Sequence, residues 1–305
     1  MNPAWSVVIF TTLAGAGQGL FIALVAADIF GGGTAAFVAQ GAAVAFCLLA
    51  AGLAASFFHL GHPERAWRSA AMWRTSWLSR EVIVLPLFMA LVAAYGIVHW
   101  QGWQQVALPV AVLAGIACLA LFVCTGMIYA CLPFLQEWRT PLTVVNFLAL
   151  GCASGLTAAA ALAAWLHPPL ASPYAAAALL IGALAYVTRL AALSRNARLR
   201  PKSTLATAIG VKHPKIVQIA QGAMGGSFNT REFFHGRPRE VVRAVRWSFL
   251  ALVFPVPALL LVAGGNSVVA LGGAFLAQYA GLLAERWYFF AEARHPQNLY
   301  YQAIA

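Results

Sequence analysis

The sequence predicts an all-α, polytopic membrane protein with eight transmembrane helices and both termini on the cytoplasmic side. Three observations lead there: an apolar composition, eight apolar blocks of spanning length, and a one-sided distribution of charge. The 305 residues are 62% hydrophobic and 9% charged, whereas soluble domains carry about 25% charged residues. A soluble globular chain is thereby excluded. The net charge of +11 would suggest nucleic acid in a soluble protein. In a membrane protein it reads through its location instead, and no nucleic-acid partner is expected.

Windows of about 19 residues place the spans at 5–27, 35–58, 81–100, 106–129, 141–166, 173–193, 247–263 and 268–287. The start Met-Asn-Pro-Ala-Trp has no basic stretch before its apolar run, so that run is expected to remain as the first span rather than act as a cleaved signal. Small residues such as Gly15, Gly17 and Gly19 let helix backbones approach closely. The second and third spans are joined through 59–80, and the sixth and seventh through a loop expected at 194–245, within a single domain of residues 1–305. That loop mixes basic, apolar and turn residues, which suits an ordered docking surface better than a tether. Lys212, Lys215, Phe228, Arg231, Phe233 and Phe234 are its candidate docking residues. The alternative is a basic belt that holds lipid headgroups.

The connections after the first, third, fifth and seventh spans contain no Lys or Arg. Those after the second, fourth and sixth, with adjoining helix ends and the C-terminal tail, contain four, one, twelve and two, which is all 19. The seven glutamates fall on the same side, and Asp28 is the one formal charge on the other. The positive-inside rule makes the charged face cytoplasmic, in a bacterial inner membrane.

The five cysteines (Cys47, Cys118, Cys124, Cys131, Cys152) lie in or beside apolar stretches without a CxxC pair and read as small apolar side chains, not iron–sulfur ligands. The seven histidines place no pair within opposed spans, so haem is not expected and no metal site is assigned. Transporters hold ionisable groups or broken helices near the midplane. Here Gln18 and Asn146 are the main interior polar residues, read as hydrogen-bonded helix glue.

Polar groups with chemical potential gather where the second span leads into the third: Phe58-His59-Leu60-Gly61-His62-Pro63-Glu64-Arg65-Ala66-Trp67, then Trp77-Leu78-Ser79-Arg80-Glu81. A quinone headgroup suits such an interface, needing an apolar slot, hydrogen-bond partners for two carbonyl oxygens and a proton route. His59 can donate to a carbonyl and exchange protons, and Glu81, expected in the first turn of the third helix, can relay a second proton. His62, Arg65, Trp77 and Arg80 complete the candidate set. The residues alone leave another reading open: His59 as a helix cap, Glu81 paired with Arg80, and the Arg and Trp side chains as interface anchors.

His59-Leu60-Gly61 ending a helix, Pro63-Glu64-Arg65-Ala66, and Leu78-Ser79-Arg80-Glu81 opening the next, in an eight-span chain, resemble the membrane-anchor subunit of dimethyl sulfoxide reductase (the DmsC type). The specific part covers about 25 residues, the span layout the whole chain. The resemblance implies a non-catalytic anchor that binds ubiquinone or menaquinone, carries no redox metal of its own, and holds an iron–sulfur subunit and a molybdopterin catalytic subunit. The family's quinone-site histidine and glutamate fall on His59 and Glu81. In the reductase the matching loop faces the periplasm, but here it lies on the basic face. The chain is thus most similar to the anchor of the cytoplasm-facing sulfite:quinone oxidoreductase (the SoeC type), which also resembles it around Gly225-Gly226-Ser227-Phe228-Asn229-Thr230-Arg231-Glu232. A quinol-oxidising anchor of a dimethyl sulfoxide or related reductase is the alternative within the family; a transporter without a redox partner is the alternative outside it.

Overall fold

Backbone N–H and C=O groups within lipid find no water, so a spanning segment must satisfy them internally. The computed structural model, which describes residues 1–58, 60–213, 215–217 and 232–298, does this with helices, and no strand occurs among the described residues. The helices are α1 (Trp5–Ile29), α2 (Ala35–Phe57), α3 (Trp77–Trp100), α4 (Gln104–Ala130), α5 (Pro141–Leu166), α6 (Ala171–Ala197), α7 (Leu205–Ile209), α8 (Arg239–Val253), α9 (Pro255–Ala263) and α10 (Val268–Glu292). Eight spans result, because α8 and α9 together make the seventh, Arg239–Ala263, and α7 belongs to the long loop.

Local sequence sets the helix ends. The hydroxyls of Thr34, Ser76, Thr140 and Ser267 accept from backbone N–H groups in the first turns of α2, α3, α5 and α10, and Pro141 occupies the first turn of α5, where a missing N–H costs nothing. Gly31 and Gly102 turn the chain between spans at φ of 70° and 74°, a region other residues avoid.

Three boundaries depart from the hydropathy reading. The third span opens at Trp77, four residues before Glu81, because Ser76 caps it. The seventh begins at Arg239 and breaks at Phe254, where Pro255 and Pro257 donate no N–H to the preceding turn. The long loop shrinks accordingly, since helix takes residues 194–197 and 239–245 from it.

α1 and α5 are the most enclosed spans. They cross through glycines: a Cβ on Gly19 would lie 2.2 Å from the Gly151 carbonyl oxygen, and one on Gly155 2.1 Å from the Gly19 carbonyl carbon and the Leu20 nitrogen. Phe21, Phe88 and Tyr95 fill the space beside them edge to face. Leu108, Val112, Leu113, Ile116 and Leu119 line the exposed side of α4, as a lipid-facing stripe does. Cys118 and Cys124 are buried, whereas Cys47 and Cys131 are exposed on the outside of the bundle. The Met1 amine donates to the Ala293 carbonyl at 2.8 Å, which puts the start of α1 and the end of α10 at one end of the molecule.

Candidate functional site

The link from α2 to α3 exposes large apolar side chains among its charged ones. Pro63–Ala70 forms a 3-10 helix, and Trp67, Met72, Trp73 and Leu78 are all exposed, as suits an interfacial segment. His62 Nδ1 lies 3.0 Å from Glu64 Oε1, and Arg65 Nε 3.7 Å from the same oxygen. Both pairs are open to solvent, where such contacts hold side chains only weakly. Arg80 turns back on the link. Its Nε and Nη2 donate to the Trp73 and Arg74 carbonyls at 2.9 and 2.8 Å, and its guanidinium lies 4.2 Å from the Trp77 ring centroid. Arg80 therefore clamps residues 73–77 onto the start of α3.

Glu81 does the opposite. With α3 starting at Trp77, it belongs to the second turn rather than the first, beyond the range over which first-turn dipole stabilisation acts. Its pairing with Arg80 is also replaced: Glu81 is 5% exposed and accepts a hydrogen bond from the Thr125 hydroxyl of α4. The carboxyl thus points into the α3–α4 seam with a hydroxyl as its partner. His59 lies outside the described residues. On either side of it in sequence, the Phe58 N–H donates to the Ala55 carbonyl and the Leu60 N–H to that of Phe57.

Hydropathy missed two inward-turned polar groups. Toward the end of α6 and of α10, Arg189 Nε approaches Glu285 Oε1 at 2.8 Å and Arg286 Nε approaches Glu285 Oε2 at 3.6 Å. All three residues are buried. The Arg286 guanidinium lies 3.8 Å from the Phe147 ring centroid on α5, and a cavity of about 10 Å³ beside Asn146 and Thr143 has the volume of about one water. At the other end of the bundle, the Tyr95 hydroxyl donates to Asp28 Oδ2 at 2.8 Å and His99 Nε2 lies 3.1 Å from the same oxygen. The signal was depth: Arg189 sits two turns inside its helix, where a lone charge is costly and a partner is required. Gln18 and Asn146 do act as glue, Gln18 Nε2 donating to the Cys118 carbonyl at 3.0 Å and Asn146 accepting from Thr188 at 2.9 Å. Among the described residues, no three His, Cys, Asp or Glu side chains converge as metal ligands do.

Of the candidate docking residues, Lys212 and Lys215 are exposed, while Phe228 and Arg231 lie outside the described residues. Phe233 stacks on His295 at 3.8 Å, Phe234 is half-buried, and the Glu232 carbonyl accepts from the Asn2 N–H at 2.8 Å. Residues 232–234 therefore moor the loop to this chain's own two ends.

Known proteins resemble this chain in sequence. The chain is 55% identical, over an alignment of 327 positions covering all of both chains, to a protein of Allochromatium vinosum described as a sulfite dehydrogenase subunit. Residues 1–291 match the model of a family described as DMSO reductase anchor subunit (DmsC). Eight spans, the interfacial link and a match running the length of the bundle agree: this chain belongs to the DMSO reductase anchor subunit (DmsC) family.

Proposed function

We propose that the chain is the quinone-binding membrane anchor of a molybdopterin oxidoreductase complex, passing electrons from a docked iron–sulfur subunit to membrane quinone during sulfite oxidation. The observation that carries this reading is Glu81, a carboxyl buried at the mouth of the α3–α4 seam and hydrogen-bonded to Thr125. Full-length similarity to a sulfite dehydrogenase subunit supports the choice of complex. The one-sided charge supports a cytoplasmic face for the loops, the termini and the partners.

When bound, the quinone supplies a two-electron, two-proton redox reaction. This chain's residues do the rest. Glu81 holds a proton at its carboxyl and delivers it at the headgroup; the Thr125 hydroxyl fixes the carboxylate orientation. His59, at the opening of the link, donates to the second oxygen and exchanges protons with cytoplasmic water. Arg80, clamped over Trp77, keeps the link closed above the seam, and the exposed Trp67, Trp73 and Leu78 offer the apolar entry that a lipid-soluble substrate needs. His62 and Arg65 face solvent beside Glu64 and act at the rim. The chain performs no substrate chemistry alone.

Capture of sealed vesicles through a tag on the C-terminus tests partners and sidedness together. Inverted vesicles, with the cytoplasmic face outward, should be captured and bring an iron–sulfur protein and molybdenum in stoichiometric amounts. Capture of right-side-out vesicles, or of the chain without partners, contradicts the proposal.

A further inference from the structure

A phenolic hydroxyl enters an otherwise apolar ring cluster beside Glu81. Tyr129, in the last turn of α4, is buried with its ring centroid 5.2 Å from that of Trp138, 5.5 Å from Phe147, 5.4 Å from Phe289 and 5.5 Å from Phe290. Phenylalanine would fill this place with the same rings in contact, and a hydroxyl enclosed there is unfavourable unless polar groups meet it. Two charged groups do: the Tyr129 hydroxyl is within electrostatic reach of both the Glu81 carboxyl and the Arg286 guanidinium. The packing agrees with both. Tyr129 follows Thr125, the hydrogen-bond partner of Glu81, by four residues, which puts the two on one face of α4. Phe147 stacks on the Tyr129 ring at 19° and holds the Arg286 guanidinium 3.8 Å from its own centroid.

A carboxyl that gives up a proton in this seam needs a further donor. Its O–H bond breaks, the electron pair stays on the carboxylate, and the two oxygens then offer about four acceptor positions. Thr125 serves Oε1. Arg80 is occupied by the Trp73 and Arg74 carbonyls and the Trp77 ring. Cys124, the other titratable group of α4 in reach of Glu81, is a weak donor, and α1, α2 and α5 bring no acidic or basic side chain to this end of the bundle. From α6 and α10 comes the cluster of Arg189, Glu285 and Arg286, with two cations against one anion. Its surplus positive charge, next to Tyr129, favours an anion beyond it.

We propose that Tyr129 is a positioning residue for proton transfer at Glu81: its hydroxyl turns to the second carboxylate oxygen as the proton leaves for the quinone, and Arg286 supports it there by charge. The electrons come from the docked iron–sulfur subunit, and cytoplasmic water restores the proton to Glu81. This rests on the reading of Glu81 as the proton donor of the headgroup site.

Infrared spectroscopy of the full-length chain in lipid nanodiscs, titrated with pH and without quinone, tests it by following the protonated carboxyl band of Glu81, identified by its loss in Glu81→Gln. Tyr129→Phe keeps the ring and removes a donor to the anion. The pH at which half of the band is lost should therefore rise by about one unit, as expected for one hydrogen bond to a charged group. Arg286→Gln leaves the Arg189–Glu285 pair at 2.8 Å and should move the midpoint the same way. In the assembled complex, Tyr129→Phe should slow the quinone-dependent rate about three-fold, because a weaker acid transfers its proton more slowly. Added to Glu81→Gln, it should slow that rate no further. A midpoint unmoved in either variant, no protonated band at all, or a further loss of rate in the double variant overturns the inference. If Glu81→Gln keeps the wild-type quinone rate while Tyr129→Phe moves the midpoint, the headgroup site fails and the pairing of Tyr129 with Glu81 stands; if Glu81→Gln slows the rate and the midpoint does not move, the headgroup site stands and the pairing fails.

Discussion

Glu285→Gln is expected to be the most damaging neutral substitution toward the charged end of the bundle. Glu285 sits between two guanidiniums at 2.8 and 3.6 Å. At an effective dielectric constant of about 20, those separations correspond to about 6 and 4.6 kcal/mol of attraction before desolvation is charged against it. Burial of all three groups offsets much of that gain. Removing the carboxylate, however, leaves two buried cations side by side, and breaking a buried pair in this way costs about 3–5 kcal/mol. Unfolding of the detergent-solubilised chain, followed by tryptophan fluorescence, reads the loss. Adding Arg189→Gln should recover part of it, with a coupling of about 0.5–3 kcal/mol between the two positions. An unfolding free energy for Glu285→Gln within about 0.5 kcal/mol of wild type would refute the reasoning, because it would mean that the cluster is hydrated or uncharged.

Other outcomes test other parts of the molecule. Gly155→Ala puts a methyl 2.1 Å from the backbone of α1; the two helices must separate, at about 1–3 kcal/mol or more, and an unfolding free energy equal to wild type would contradict the close crossing. The Met1 amine is held down to about 5 by burial, with Glu137 opposing, and burial with the N-terminal ammonium also lowers His295. Both are depressed bases, so the unfolded chain binds more protons across the gap. The mooring of residues 232–234 is then fully stable above about pH 8 and weakens as pH falls toward 5; hydrogen exchange in residues 1–4 and 232–235, corrected for intrinsic rates, should show protection rising over that window, and a flat profile contradicts it. Deleting residues 212–231 spares the mooring and should release the iron–sulfur subunit from membranes, whereas retention at ordinary salt moves the dock to residues 62–80.

Much of this architecture was legible because lipid permits few alternatives: an apolar run of spanning length must be a helix, and the eight runs were found. What hydropathy could not read was direction. Arg239, Arg243 and Arg246 look like loop residues, yet they ride on α8 with their charges kept near the end of the span. Trp77-Leu78-Ser79-Arg80 has an interfacial composition, and the Ser76 cap that starts α3 there matters more than the hydropathy of the four residues. That shift is what carries Glu81 from an exposed first turn to the inside of the seam. Arg189 and Glu285 were counted correctly as charges of one face, but their pairing joins α6 to α10, a tertiary contact with no signature along the chain. Likewise, Phe233 was legible as a sticky side chain, while its partner proved to be His295.

The quinone-dependent rate of the assembled complex carrying Glu81→Gln tests the central claim most directly. Glutamine keeps the shape and can still meet Thr125, but it cannot carry a proton. The account predicts that the complex assembles and docks its partners as before, while the rate with quinone falls about 10²–10⁴-fold, the usual worth of a positioned acid–base group, and the rate with an artificial acceptor reduced by the soluble subunits stays unchanged. A quinone-dependent rate equal to wild type in that variant would contradict it.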